Sequence, residues 1–275
     1  MIIGHKEQQK KLKMFAEKGN TPHAFLFSGP EKIGKKTVAY WFLKQLNGEH
    51  QGVNPDVVEV SPEKKEIQAS QIEEVIEKVS FKAVNSKFKG VVIDQAHLMN
   101  SVSQNKLLKT LEEPPAKTII ILISDYPRMI IPTITSRVFE MSFYPVSEKE
   151  ISESVSDEDA VKLSLGRPGM ALDYVANPEK KKIVKELEEE VRSVLEKDLA
   201  SRFSLIKKIT KEERTIEFLE RLLRILEEKM IIKVRNKEDS TKYREAVKET
   251  EEIIYLHKKT NTKIELAMEN IIVKI

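Results

Sequence analysis

The sequence predicts an α/β domain on a parallel sheet, followed by a small helical segment and an all-helical C-terminal part. Three observations predict it. Short apolar runs bounded by turns alternate with helix-spaced stretches as far as residue 145. One run, "AFLF" (Ala24–Phe27), leads into a glycine-containing turn, "GPEKIGKKT" (Gly29–Thr37), that opens a helix. Beyond Pro145 the strand signals fade. Short buried strands separated by helices imply a parallel sheet covered on both faces.

"HKEQQKKLKMFAEKG" has helical spacing and stops at Gly19. "AFLFSG" reads as a strand, and "KKTVAYWFLKQL" puts Val38, Trp41, Phe42 and Leu46 on one helical face. "DVVEV" is the next strand, followed by Ile72, Val75, Ile76 and Val79 at helical spacing. "GVVID" is a buried strand ending in an acid, and "SQNKLLKTLEE" is a helix stopped by Pro114–Pro115. "TIIILIS" and "VFEMSF" complete the strands. Small helices with a break at "GRPG" (Gly166–Gly169) fill the segment after Pro145. From Glu179 the pattern is helical throughout, with stripes at Ile216, Leu219, Leu223, Leu226 and Met230, and at Ile264, Met268, Ile271 and Ile275. These stripes read as bundle core. The domain expectation is 1–145, 146–178 and 179–275.

The chain has 275 residues with 47 basic and 44 acidic side chains, a net charge of +3. So even a balance argues for solvated helical faces and protein partners, with any nucleic-acid contact confined to a local patch. The cysteine count of zero excludes disulfides and thiolate metal sites. No apolar run is long enough to cross a bilayer and no signal pattern opens the chain, so the expected location is cytoplasmic, without membrane partners.

Gly29, Gly34 and Lys35 are in register with the phosphate-cradling pattern G-x-x-x-x-G-K-[ST]. A strand, a glycine turn and a helix N-terminus aim backbone N–H groups at one spot, and Lys35 is placed to reach phosphates. The next position normally gives Mg²⁺ a hydroxyl. Here it is Lys36, whose ammonium repels the metal, and the hydroxyl of Thr37 lies about 100° further round the helix. Asp94 ends the strand "VVID" as a metal-holding acid would, but Gln95 follows it where hydrolysing sites carry a second acid. His97 reads as packed or capping. Arg137, in "PTITSRV", is a candidate arginine finger that donates charge to a phosphate held by a neighbour.

These stretches stand in a recognisable order. "HAFLFSGPEKIGKK", "GVVIDQAHLMN", "SQNKLLKTLEEPPAKTIIILIS" and "IIPTITSRVFEMSF" resemble, in sequence and spacing, the clamp-loader subunits of bacterial DNA polymerase III, delta-prime more than gamma/tau. The resemblance is strong over residues 1–145. It implies an AAA+ phosphate-loop domain, a small helical lid and an all-α collar domain. It also implies motor (gamma/tau) and delta subunits as partners, a sliding clamp, and primed DNA reached through the complex. Delta-prime is the static member of such a ring, and by this resemblance Arg137 is the trans-acting finger with Ser136 beside it, Val138 replacing the motif's cysteine.

The four-cysteine zinc module of the family is missing from "NGEHQGVNPD", so no zinc is expected. Gly169, in "GRPGMAL", stands where a motor's lid carries a sensor arginine, with Arg167 two positions away. Ser124 or Asp125 occupies the other sensor position. The resulting expectation is a vestigial nucleotide site (Gly29, Gly34, Lys35, Lys36, Thr37, Asp94) holding ATP or ADP weakly, with no catalysis of its own. Two alternatives stay open: a hydrolysing gamma/tau-like motor, and an AAA+-fold interaction protein outside replication. "SVSQNKLLK" offers Ser103, Asn105 and Lys106 as DNA-contact candidates on a helix N-terminus.

Overall fold

A computed structural model describes residues 1–48, 54–63, 65–81, 83, 86–115, 117–211, 214–260 and 265–275. Helix α1 (Lys6–Lys18) ends at Gly19 and leads to β1 (Ala24–Ser28) and α2 (Lys35–Asn47). Then come β2 (Val57–Val60), α3 (Ala69–Ser80), β3 (Lys89–Ile93), α4 (Ser101–Glu112), β4 (Thr118–Ser124), the short α5 (Pro132–Thr135) and β5 (Phe139–Ser142). The five strands form one sheet in the order β2-β3-β4-β1-β5, every pairing parallel.

Strand alternation divides the core into two layers. Leu26, Val91, Ile93, Ile120 and Leu122 point to one face and pack with Ile72, Val75 and Val79 of α3 and Leu107 and Leu111 of α4. Phe25, Phe27, Val92, Ile121 and Ile123 point to the other and pack with Leu12 of α1 and Val38, Phe42 and Leu43 of α2. Successive side chains on a strand face opposite ways, so a sheet buried on both sides needs unbroken apolar runs. Each fully buried side chain of this kind contributes about 1.5–3 kcal/mol. Trp41, placed on the same helical face, is only partly buried against its layer.

Because β1 lies between β4 and β5, and β4 beside β3, the carboxyl ends of β1, β3 and β4 are neighbours. Ser28 pairs with Ser124, and the Gly29 N–H donates to the Ser124 carbonyl at 3.2 Å. Ligand sites of parallel sheets form at such ends, where successive connections diverge.

The chain separates into two compact units, Met1–Asp173 and Tyr174–Ile275. The first takes in α6 (Glu148–Ser152), α7 (Glu158–Leu163) and the opening of α8 (Pro168–Ala176). The second comprises α9 (Pro178–Val194), α10 (Leu199–Lys211), α11 (Thr215–Arg235), α12 (Thr241–Thr260) and α13 (Glu265–Lys274). On α11 the buried set is Phe218, Leu219, Leu222, Ile225 and Leu226, so the expected stripe is displaced: Ile216, Leu223 and Met230 are only partly buried. The apolar arc of α11 is wide enough for two adjacent stripes to fit the same spacing, and the neighbouring helices select one. Arg221, 3% exposed, sits in this core with its guanidinium 2.9 Å from the Tyr174 hydroxyl and 3.2 Å from a Glu188 oxygen. Met268 and Ile271 are buried as expected, whereas Ile264 lies outside the described residues.

Candidate functional site

The turn after β1 has the backbone of a phosphate loop. Gly29 has φ +144°, and a Cβ there would stand 2.3 Å from the Phe143 carbonyl oxygen, so no other residue fits without moving β5's exit. Lys32 adopts the left-handed conformation (φ 58°) that a glycine takes more easily. Gly34 caps α2 with no side chain bonded to the helix's first N–H groups. Those N–H groups and the positive end of the helix dipole face the loop. His5 supports the loop from beneath, its Nε2–H donating to the Ile33 carbonyl at 2.7 Å and its ring edge-on to Phe143. Burial holds the imidazole pKa below its ordinary value, and the Lys35 charge adds to this. The Ile33 hydrogen bond and Glu150 oppose it.

Lys35 is 4% exposed and its ammonium is fully engaged. It donates to the carbonyls of Gly29 and Pro30 at 2.6 Å each and pairs with Asp125 at 2.8 Å. Asp125 directly follows β4, and its backbone N–H points at Nδ1 of the buried His97 at 3.4 Å. The ring of His97 packs edge-on against Tyr126, in keeping with a packing role. The lysine expected to reach phosphates is thus folded back onto its own loop.

Lys36, Glu59 and Asp94 form a second cluster. The Lys36 ammonium lies 2.5 Å from a Glu59 oxygen and 3.2 Å from Asp94. Glu59 also accepts hydrogen bonds from the Tyr40 and Ser61 hydroxyls. Burial alone would lower the Lys36 pKa, but the hydrogen bonds to Glu59 and Asp94 and their charges outweigh it and raise the pKa. For Glu59, burial acts upward and is overcome by the Lys36 and Tyr40 hydrogen bonds, leaving the carboxyl below its usual range. Burial and the hydrogen bond to Glu59 push the Tyr40 phenol up. Thr37 is exposed and lines a cavity of about 380 Å³ together with Met1, Ile2, Gln9, Tyr40, Trp41 and Lys44. A Mg²⁺ ion of the kind phosphate loops carry does not fit these residues, because the position that gives such an ion a hydroxyl puts an ammonium between the two acids. Among the described residues no three or more acidic or imidazole side chains gather to hold a metal.

α8 closes over the loop. The Gly169 N–H donates to the Lys32 carbonyl at 2.9 Å, and the Lys32 ammonium pairs with Asp173. An arginine in place of Gly169 would have its Cβ 2.7 Å from that carbonyl. Arg167 is 7% exposed, with Nε donating to the Ser164 carbonyl, so it anchors the turn before α8.

Arg137 follows α5 at the far end of α4. Its guanidinium lies 2.7 Å from a Glu112 oxygen and donates to the Thr133 carbonyl at 2.8 Å, with the Ser136 hydroxyl 3.2 Å away. Its side chain is 36% exposed. The buried Gln104 fixes this corner: its amide donates to the Met99 carbonyl and accepts from the Ile131 N–H at 2.8 Å.

The DNA-contact candidates part company. Ser103 is completely buried, its hydroxyl 2.8 Å from the Ile67 carbonyl while its N–H is capped by Asn100, so it is a packing residue and not a surface contact. The reading failed because α4 turns that side against the segment before α3. Asn105 is exposed, and Lys106 is ion-paired with Glu73. "EHQGV", from the stretch that lacks the zinc module, lies outside the described residues.

Glu59, His5 and Gln104 went unnoticed in the sequence. An acid on an edge strand, a histidine before a helix and a glutamine in an amphipathic helix carry no spacing signal of their own. Asp125 had a signal, as the first acid after a buried strand.

Residues 4–147 match the family model described as DNA polymerase III, delta subunit. The tau/gamma subunit of DNA polymerase III from Haemophilus influenzae is 31% identical over 151 residues, covering 49% of this chain and 22% of that protein. The delta-prime subunit from Bacillus subtilis is 31% identical over 159 residues, covering 52% of this chain and 48% of that protein. The chain therefore spans less than half the length of either relative. A crystal structure of a DNA polymerase III gamma subunit-related protein from Thermotoga maritima superposes with a TM-score of 0.55 at 20% identity, over 97% of both chains, a likeness of fold. With more than half its length matched by that model, the chain belongs to the DNA polymerase III delta subunit family of clamp-loader subunits.

Proposed function

We propose that this chain is a delta-prime-like clamp-loader subunit: a scaffold that hydrolyses no ATP itself and lends Arg137 to the ATP of a neighbouring motor subunit. The observation that carries it is the contrast between the two sites. Around the phosphate loop each group hydrolysis needs is otherwise engaged. Lys35 is bound to Asp125, Lys36 stands between Glu59 and Asp94, Gln95 replaces the acid, and Gly169 lies against Lys32. Arg137, by contrast, stays at the surface on a corner fixed by Gln104. Its ion pair with the half-exposed Glu112 is weak enough to exchange for a phosphate.

The implied partners are motor and delta subunits, a sliding clamp and primed DNA, with Asn105 and Lys106, whose pair with Glu73 lies at the surface, as the DNA-contact candidates. Division into AAA+ domain (1–145), lid (146–178) and collar (179–275) belongs to the same proposal, as does a cytoplasmic location. ATP or ADP bound weakly at Gly29, Gly34, Lys35 and Thr37 fits the loop's backbone shape. The purified chain alone is expected to turn over no ATP. Turnover that disappears on Lys35→Ala would overturn the proposal and make the chain a motor.

A further inference from the structure

We infer that the Lys36 ammonium is a built-in substitute for the divalent cation of a phosphate loop, neutralising a Glu59–Asp94 acid pair that would otherwise bind such an ion. The inference deepens the reading of the loop as non-hydrolysing and rests on different residues from Arg137.

Position 36 follows the loop lysine, where the metal's hydroxyl ligand stands in a working loop. Asp94 directly follows β3, where the metal-holding acid stands. The side chain at position 36 therefore points at the right acid, but it ends in a cation of its own, 3.2 Å away. Glu59 completes the cluster from the neighbouring strand: β2 pairs with β3 in the register Glu59↔Val92, and the Asp94 N–H donates to the Val60 carbonyl at 2.8 Å. Two carboxylates at adjacent strand ends repel each other unless a positive charge lies between them. Here that charge is covalently attached to α2. It ties the helix to β2 and β3, and the Tyr40 hydroxyl, one turn further along α2, reinforces the tie at Glu59.

Three consequences follow. The loop keeps its shape without metal or nucleotide, as a scaffold requires. Any nucleotide it holds is held without a divalent ion. Neutralising Lys36 unmasks a hard-cation site with two carboxylate ligands, the donor type that Mg²⁺ and Mn²⁺ take.

The test titrates the full chain with Mn²⁺ alone, following free ion by electron paramagnetic resonance. The wild type and Lys36→Arg, which keeps the charge, are expected to bind none at the loop. Lys36→Ser is expected to gain one Mn²⁺ site, about tenfold or more tighter than the background binding of wild type. The gain is expected to vanish when Glu59→Gln or Asp94→Asn is added, and Mg²⁺ is expected to raise the melting temperature of Lys36→Ser but not of wild type. Lys36→Gln, closer in length to lysine, serves if the serine variant does not fold. No gain in either neutral variant overturns the inference, as does wild-type Mn²⁺ binding that is lost on Asp94→Asn. Neither result touches the trans role of Arg137.

Discussion

Gly169 stands in the first turn of α8 with its N–H donated to the Lys32 carbonyl, and replacing it by alanine tests whether the start of α8 is sealed onto the phosphate loop. The added methyl would lie 2.7 Å from that oxygen and 3.2 Å from the Lys32 Cβ. The oxygen belongs to backbone held in the left-handed region, so it cannot swing away as a side chain would. Overpacking of this kind costs about 1–3 kcal/mol. Lengthening the Gly169–Lys32 hydrogen bond removes about 1 kcal/mol more. Against this, alanine in a helix is favoured over glycine by about 1 kcal/mol. The net expectation is a loss of about 1–3 kcal/mol, or roughly 3–10 °C in melting temperature for a unit of this size. The assay is thermal unfolding followed by circular dichroism, with urea denaturation to give the free energy. The sign decides: a variant as stable as wild type, or more stable, means that the α8 turn is not pressed against the loop.

Asp125→Ala leaves the Lys35 ammonium buried with only two carbonyl acceptors. Removing one partner of a buried pair costs about 3–5 kcal/mol, and the surviving hydrogen bonds place this variant at the lower end of that range in urea unfolding. His5 gives a pH signature. The unfolded imidazole titrates at 6.5, whereas burial lowers the pKa of the folded one. Below pH 6.5 the unfolded chain takes up a proton that the folded protein resists, so stability falls as pH drops from 6.5 through the folded value. His5→Gln, which keeps a donor for the Ile33 carbonyl, is expected to flatten the change in urea midpoint between about pH 7.5 and about pH 5.5. An unchanged slope would assign the pH dependence to other groups.

Much of the fold was legible because its signals are local. Continuous apolar runs such as "TIIILIS", alternating with helix-spaced stretches, suit central strands of a parallel sheet covered on both faces, and Gly19, Gly34 and Pro114 punctuate the helices where the structure ends or begins them. The face of α11 was not legible, since Leu222 and Leu223, and likewise Ile225 and Leu226, offer the core to either of two stripes. At the site, the register of Gly29, Gly34, Lys35 and Asp94 was readable because it follows a fixed backbone shape. The partners of those residues were not. That Lys35 turns back to Asp125, and that Lys36 finds Glu59 on an edge strand, depends on the order β2-β3-β4-β1-β5, which brings together residues far apart in the chain. Ser103 shows the converse limit: a serine at a helix start looks the same whether it faces solvent or, as here, packs against Ile67.

The most direct test of the central claim is the ATP turnover of a clamp-loader assembly reconstituted with its organism's motor subunit on primed DNA, comparing wild-type chain with Arg137→Ala. The side chain is at the surface, and its polar partners among the described residues are Glu112, the Thr133 carbonyl and Ser136, so the variant is expected to fold normally. A trans-acting finger is worth about 10³-fold or more in rate, so turnover is expected to collapse while the assembly still forms. Unchanged turnover in an intact assembly would contradict the claim that this chain acts through Arg137.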